Sequence, residues 1–359
     1  MNTQTIMKIF LLLACVAMLQ TCKEKPVDNN DDDKPGRRDY KWTIDTLSYP
    51  GSMQTTMRDM YAVNEKNIYV VGHNEDGYGK MYHYNGLKWT DVKLTQSQGG
   101  SILGGIDLSA IYGFGKNDIW AVGYRDYYDP LHHQSHDSTL IIHYNGSQWS
   151  EAEIEYGRGE LQGVWGSSPN DIWAGGIYGV LYHYNGNTWT KVNADTSLWF
   201  LDFGGKKNEQ YALAYNRKDT AGYITSINYL LRYQETGWIT TEQFAELPNS
   251  AWTFGHSSIS FIDGEFYSVG YGIFRKKNNH WEKMFDSGER TFLDVFGTRK
   301  KHIFALGLFG EVYHFNGVDW KLLPKFDNLE NSLTSMWTNE KEVFIVGNSN
   351  YKTYIYHGK

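Results

Sequence analysis

Cysteine is almost missing from this chain of 359 residues: Cys15 and Cys22 both sit near the N-terminus, so no disulfide framework can hold the remainder together. Proline is scarce, at 7 residues, and no dense Lys/Arg stripe interrupts a formal charge of −7, so no nucleic-acid partner is expected, because phosphate binding needs clustered cations. The apolar run Ile9 to Leu19 is too short to span a bilayer permanently. Among catalytic constellations, a Ser/His/Asp arrangement, a phosphate loop and a metal triad are all lacking. Gly99-Gly100 and Gly104-Gly105 have no strand-then-helix context and read as linker. What the chain has in quantity is aromatic: 27 Tyr, 17 Phe and 13 Trp beside 37 Gly, a composition suited to many strands joined by tight turns.

Lys8 and the apolar run after it read as a targeting segment, to be left out of the fold. Leu19-Gln20-Thr21-Cys22 resembles a bacterial lipobox, and Leu12-Leu13-Ala14-Cys15 fits the same local pattern while leaving an apolar run of only about five residues. The resemblance implies a signal peptide over 1–21, a lipid-bearing Cys22, and export to the outer membrane of a Gram-negative cell, on its surface or periplasmic side, with the lipid as the sole membrane contact. Residues 22–39 are polar and without apolar periodicity, as a disordered tether would be. The stretch Asn29 to Asp33 resembles the acidic export signal of some surface lipoproteins; a plain solvated linker explains it equally well.

From residue 56 onward a fixed pattern recurs, and repeats of 20 to 50 residues are read before any other feature. It is clearest over 161–192: Leu161 to Gly166 as a first strand, Asp171 to Gly176 as a second, Val180 to Tyr184 as a third, and Trp189 to Val192 as a fourth. Asn185-Gly186 between the third and fourth strands is a hairpin signal of the kind in which both residues adopt positive φ. Asn85-Gly86, Asn145-Gly146 and Asn316-Gly317 repeat it, and two degenerate units keep Tyr211 with Trp238 and Tyr267 with Trp281. The seventh unit ends at Gly358 before any fourth strand, while Lys41 to Asp45 matches the missing one. The expected fold is therefore an all-β, seven-bladed β-propeller of four-stranded blades over 40–359, its last blade closed by an N-terminal strand, which removes exposed edges.

A glycine ending strand two, an aromatic in strand three and a Trp opening strand four resemble kelch-type propeller repeats across 40–359. Only Gly175-Gly176 gives the paired glycine of that family, and the adjacent Asn185 and Gly186 differ from a sialidase Asp-box, where one residue separates the two.

Residues that recur at one blade position are explained by packing between blades, which accounts for His83, His143, His183, His314 and His357. Function is sought where the repeat breaks. Blade two takes 26 residues from Gly123 to Trp149, where blade three takes 13 from Gly176 to Trp189. The extra loop, 124–139, holds Tyr127, Tyr128, His132, His133, His136 and Asp137, donors suited to calcium or zinc, to a ligand, or to nothing in particular, with no defined metal spacing. Otherwise no cofactor is expected. Loops joining strand four to the next strand one share a face with those between strands two and three, and there Arg58, Gln162, Trp199 and Trp252 could hold a sugar by stacking and hydrogen bonding. Asp59 and Asp294 align in two first strands and are candidate catalytic carboxylates facing the channel. Three readings stay open: a lipid-anchored binding protein for a glycan or a protein partner, a carbohydrate-active hydrolase or lyase using the same face, and a scaffold within an outer-membrane assembly.

Overall fold

In a computed structural model of the chain, residues 34–359 are described, except 76–77, 130–133, 156, 221–222, 236, 247–251, 289 and 327–328, and the side chains of 127–136 and 217–225. Gly36–Lys359 is one compact unit; Met1–Pro35, a separate unit, lies outside the described residues apart from Lys34 and Pro35. The expected signal peptide, Cys22 and most of the tether thus fall outside them.

The strands sort into seven four-stranded antiparallel sheets: a seven-bladed β-propeller. Blade 3 runs Leu161–Ser168, Asp171–Gly176, Leu181–Tyr184 and Trp189–Lys191. Its second strand is buried at five of six positions, because both faces of the sheet are covered by neighbouring blades. Apolar contacts divide accordingly into clusters between blades: Val71, Ile106, Ile119 and Trp149 join blades 1 and 2, Trp120, Ile141, Val164 and Tyr182 join blades 2 and 3, and so on around to Phe344, Val346, Ile68 and Tyr84 between blades 7 and 1. There is no common centre of packing; each blade is held by its two neighbours.

The recurring residues have local causes. A Cβ at Gly72, Gly123 or Gly176 would lie 2.2, 2.0 or 1.8 Å from the carbonyl oxygen of Thr56, Asp107 or Glu160, so strand two can approach the start of strand one only as glycine. His83, His143 and His183 bond through Nε2 to Asn67, Asp118 and Asp171 at 2.8 Å, and each stacks on Tyr69, Trp120 or Trp173. His357 does the same with Glu342 and Phe344. His314 departs, bonding to His302 Nδ1 at 3.2 Å; burial first, then neighbouring positive charge, pushes both imidazoles down, to about 3 and about 4.

The Asn-Gly turns differ from expectation. Tyr184 pairs with Trp189, so the loop has four residues. Only the glycine takes a positive φ, +91° at Gly186, while Asn185 Oδ1 accepts the N–H groups of Asn187 and Thr188 at 3.0 Å. Asparagine serves here as a side-chain acceptor that caps the loop.

Blade 7 consists of Ser332–Thr338, Val343–Ser349 and Lys352–Gly358, completed by Trp42–Leu47 from the other end of the chain. Register runs from Trp42 opposite Gly358 to Leu47 opposite Thr353, and Lys41 and Lys359 exchange backbone bonds of 2.9 and 3.0 Å. The residues before this strand lie along blade 6: Gly36 N–H donates to Asn316 O (2.9 Å), Arg38 bonds Asp319 Oδ1 (2.9 Å) and His314 O (2.7 Å), and buried Tyr40 meets His302 at 3.4 Å.

Inside the ring, bulged first strands carry acids that link blades. Asp59 accepts Met60 N–H (2.7 Å) in its own blade, Ile111 N–H (2.8 Å) from blade 2 and Ser335 Oγ–H (2.8 Å) from blade 7. Asp202 accepts Phe203 N–H (2.8 Å) and Ile259 N–H (2.9 Å) of blade 5. Asp294 accepts Met336 N–H (3.1 Å) of blade 7 and Ser258 Oγ–H (3.3 Å) of blade 5.

Removing residues 40–48 takes away both the closing strand and the Tyr40 contact. Tyr40→Ala alone is expected to cost about 3–5 kcal/mol, by the usual penalty for emptying a buried aromatic site, and the deletion more. Denaturant unfolding checks this; unchanged midpoints would show that the ring does not rely on the strand.

Candidate functional site

Alternating strand direction puts the 4→1 and 2→3 connections at one end of the ring, here termed the upper face. Its side chains form a charged sector and an aromatic one.

The charged sector centres on Asp107, at the start of blade 2. Lys80 Nζ reaches Oδ1 at 2.6 Å, and Oδ2 takes Tyr124 O–H and His73 Nδ1, both at 2.7 Å. Lys80 and Asp107 are buried, with side chains 7% and 8% exposed. Burial alone would push the carboxyl up, yet the bond and charge of Lys80, with the bonds from Tyr124 and His73, hold it below the usual carboxylate range. Burial and the Asp107 carboxylate push the Tyr124 phenol up. His73 Nε2 has no partner among the described residues, so the imidazole is oriented by a carboxylate and open at its other nitrogen, a geometry able to transfer a proton or bind a ligand. Next to it, Arg58 Nη1 bonds Glu160 Oε1 and Ser109 Oγ, each at 3.1 Å, and Ser109 donates to Glu160 at 2.5 Å.

The aromatic sector lies across blades 3 to 5. Trp199 meets Tyr178 edge-on at 6.0 Å and Tyr215 at 5.3 Å. Tyr178 is 51% exposed and held at φ +59°, a left-handed conformation uncommon outside glycine and costly for a bulky side chain. Trp252 stacks on Tyr271 at 4.5 Å, and Lys283 Nζ lies 5.6 Å from its ring.

Of the residues singled out from sequence, Arg58 lies in the charged sector, with its guanidinium engaged by Glu160. Gln162 is half-buried, and its side-chain oxygen lacks a partner among the described residues. Trp199 and Trp252 belong to the aromatic sector, the latter with one face covered by Tyr271. Asp59 and Asp294 line the channel, their oxygens taken up by backbone and serine donors, and Asp202 is a third such acid. Loop 124–139 takes the form of a long hairpin, Asp118–Asp129 with Gln134–Tyr144. His132 and His133 lie outside the described residues, as do the side chains of Tyr127, Tyr128 and His136; Asp137 is exposed. Among the described residues no group of three His, Cys, Asp or Glu is arranged to hold a metal ion. Sequence reasoning missed His73, Lys80, Asp107, Tyr124 and Glu160, whose meaning depends on partners in other strands. Tyr178 gave no signal beyond its position after Gly175-Gly176.

No family model matches the sequence, and no curated protein matches it. Solved structures do. YCF48 bound to D1 peptide superposes with a TM-score of 0.60 at 15% identity, over 90% of this chain and 99% of that one. The extracellular domain of a one component system from B. thetaiotaomicron gives 0.58 at 12%, over 89% of this chain and 40% of that one. The WD40 propeller domain of Doa1 gives 0.56 at 13%, over 88% and 97%. At these identities the likeness is one of fold.

The buried pair makes a direct test. Asp107→Asn strands the Lys80 ammonium and is expected to cost about 3–5 kcal/mol, the usual penalty for breaking one side of a buried pair. Lys80→Met/Asp107→Leu should recover most of it. If denaturation shows Asp107→Asn losing under about 1 kcal/mol, the pair is not the anchor of this sector.

Proposed function

We propose that the protein is a lipid-anchored, exported binding protein, kelch-like in its repeat, that presents the upper face of its ring to a glycan. The observation that carries this reading is the platform of Trp199, Tyr178 and Tyr215, with Tyr178 exposed in a left-handed conformation. Aromatic faces stack on the apolar faces of sugars, while the neighbouring Arg58, Glu160 and His73 supply polar groups that fix orientation. Cys22 is the proposed lipid attachment.

A protein partner at the same face is the second reading, favoured by YCF48, a propeller of similar architecture solved with a D1 peptide bound. A carbohydrate-active enzyme would use His73, oriented by Asp107, as its proton-transfer group.

A glycan array probed with the purified protein tests the leading reading. Retention of at least one glycan class is expected, with a loss of tenfold or more in Trp199→Ala and Tyr178→Ala, about the value of one or two aromatic contacts. If nothing is retained, or the variants bind as well as the parent, the glycan reading fails. Cross-linking through a photoreactive residue at Tyr178 in intact cells then tests for a protein neighbour.

A further inference from the structure

At the opposite end of the channel the first strands build a second enclosure. Two positions after the acid of blade 1 stands Tyr61; the corresponding residues are Tyr112, Trp165, Phe296 and Trp337 in blades 2, 3, 6 and 7, and blade 5 supplies Phe261 one residue later. Blade 4 breaks the collar with Gly204-Gly205, which leaves room. Together these residues wall a cavity of about 470 Å³, within the roughly 300–1,000 Å³ usual for ligand sites. Its inner end is formed by Asp59, Asp202 and Asp294. Lys206 is the one cation among the lining residues, and it is tied to Glu209 at 3.2 Å.

We propose that this lower half of the channel binds an organic cation, a primary ammonium or guanidinium group on a slender chain. The cavity sets three carboxyls, none of them ion-paired among the described residues, behind an aromatic collar, and a cation gains from both: from the carboxyls by charge as they ionise, and from the rings by their quadrupole. A neutral sugar would gain nothing from the charge that develops as Asp202 and Asp294 ionise. The hydrogen bonds within the belt explain where the acids are held; they do not explain why acids are used, since Ser258 and Ser335 occupy the same ring position in blades 5 and 7. Depth selects a slender ligand. The acids lie four or five residues, on the order of 15 Å, inside the lower strand ends, beyond the reach of a lysine side chain unless its backbone also enters. The site is separate from the upper face, so it stands or falls independently of the glycan reading.

Burial first, then repulsion by neighbouring acids, Asp59 above all, pushes Asp202 and Asp294 up to about 7. The other titratable groups on the cavity wall are Asp59, itself raised by burial, Lys206, and the phenols of Tyr61 and Tyr112, both raised and so neutral near pH 7. Cation affinity therefore rises from pH 6 to pH 8 as the two acids ionise.

Calorimetric titration of the purified protein with spermidine and with a tetralysine peptide tests this, each beside its acetylated form. Binding is expected for at least one of the two, weakened at least tenfold by acetylation, at least tenfold by Asp202→Ser or Asp294→Ser, and severalfold on going from pH 8 to pH 6. Whichever amine binds names the source: a free polyamine, or a lysine on an inserted peptide segment. Binding that survives both serine variants in folded protein is surface attraction to an acidic molecule and overturns the proposal, as does no binding of either amine or equal binding of the acetylated forms. Should the serine variants not fold, Lys206→Gln decides: a two- to fivefold tightening supports the site, and unchanged or weaker binding overturns it.

Discussion

The ladder between Trp42–Leu47 and Lys352–Gly358 is the constraint on which the rest of the molecule depends. Without a common core, each blade owes its burial to the blades on either side, so an open ring would expose one face of two blades and an unpaired edge. Strand pairing at one point therefore secures packing all the way round. The chain reinforces it twice. Arg38 and Tyr40 continue the contact onto blade 6, and Asp59 gathers donors from blades 7, 1 and 2 at the inner rim of the same seam.

Closure also explains where variation is possible. Strand two is committed to packing, and in blades 1 to 3 the glycine at its end is fixed by contact with the backbone at the start of strand one. The connections at the upper face carry no such duty. There the chain spends a buried ion pair, an oriented imidazole and a strained tyrosine, none of which the fold requires. The channel shows the converse: serine meets the need for a blade-linking side chain in two blades, yet three others carry an acid whose ionisation burial opposes.

The architecture was legible because its causes are local. Glycine, tryptophan and the Asn-Gly pair each answer a requirement within one blade, and the unmatched end of blade 7 pointed to Lys41–Asp45. The turn geometry was misread, since Asn185 works through its side chain and not by positive φ. The sites were far less legible. Asp59 and Asp294 were found by alignment, but Asp202 lies in a blade whose repeat has decayed to Tyr211 and Trp238. Asp107 looks like any strand-opening residue until folding brings Lys80 and His73 to it from blade 1 and Tyr124 from its own blade. Contacts between blades have no signature in spacing, and the upper face is made of them.

Hydrogen exchange of individual amides tests the central claim most directly. If the ring opens only as a whole, the amides of Thr43 and Asp45, which bond across to Lys352–Gly358, should exchange with the same free energy as those of Trp165 and Ala174 in blade 3, and both should equal the global unfolding value. Exchange of the terminal strand at least tenfold faster, with blade 3 still protected, would show that the seam opens on its own and that the other blades do not depend on it.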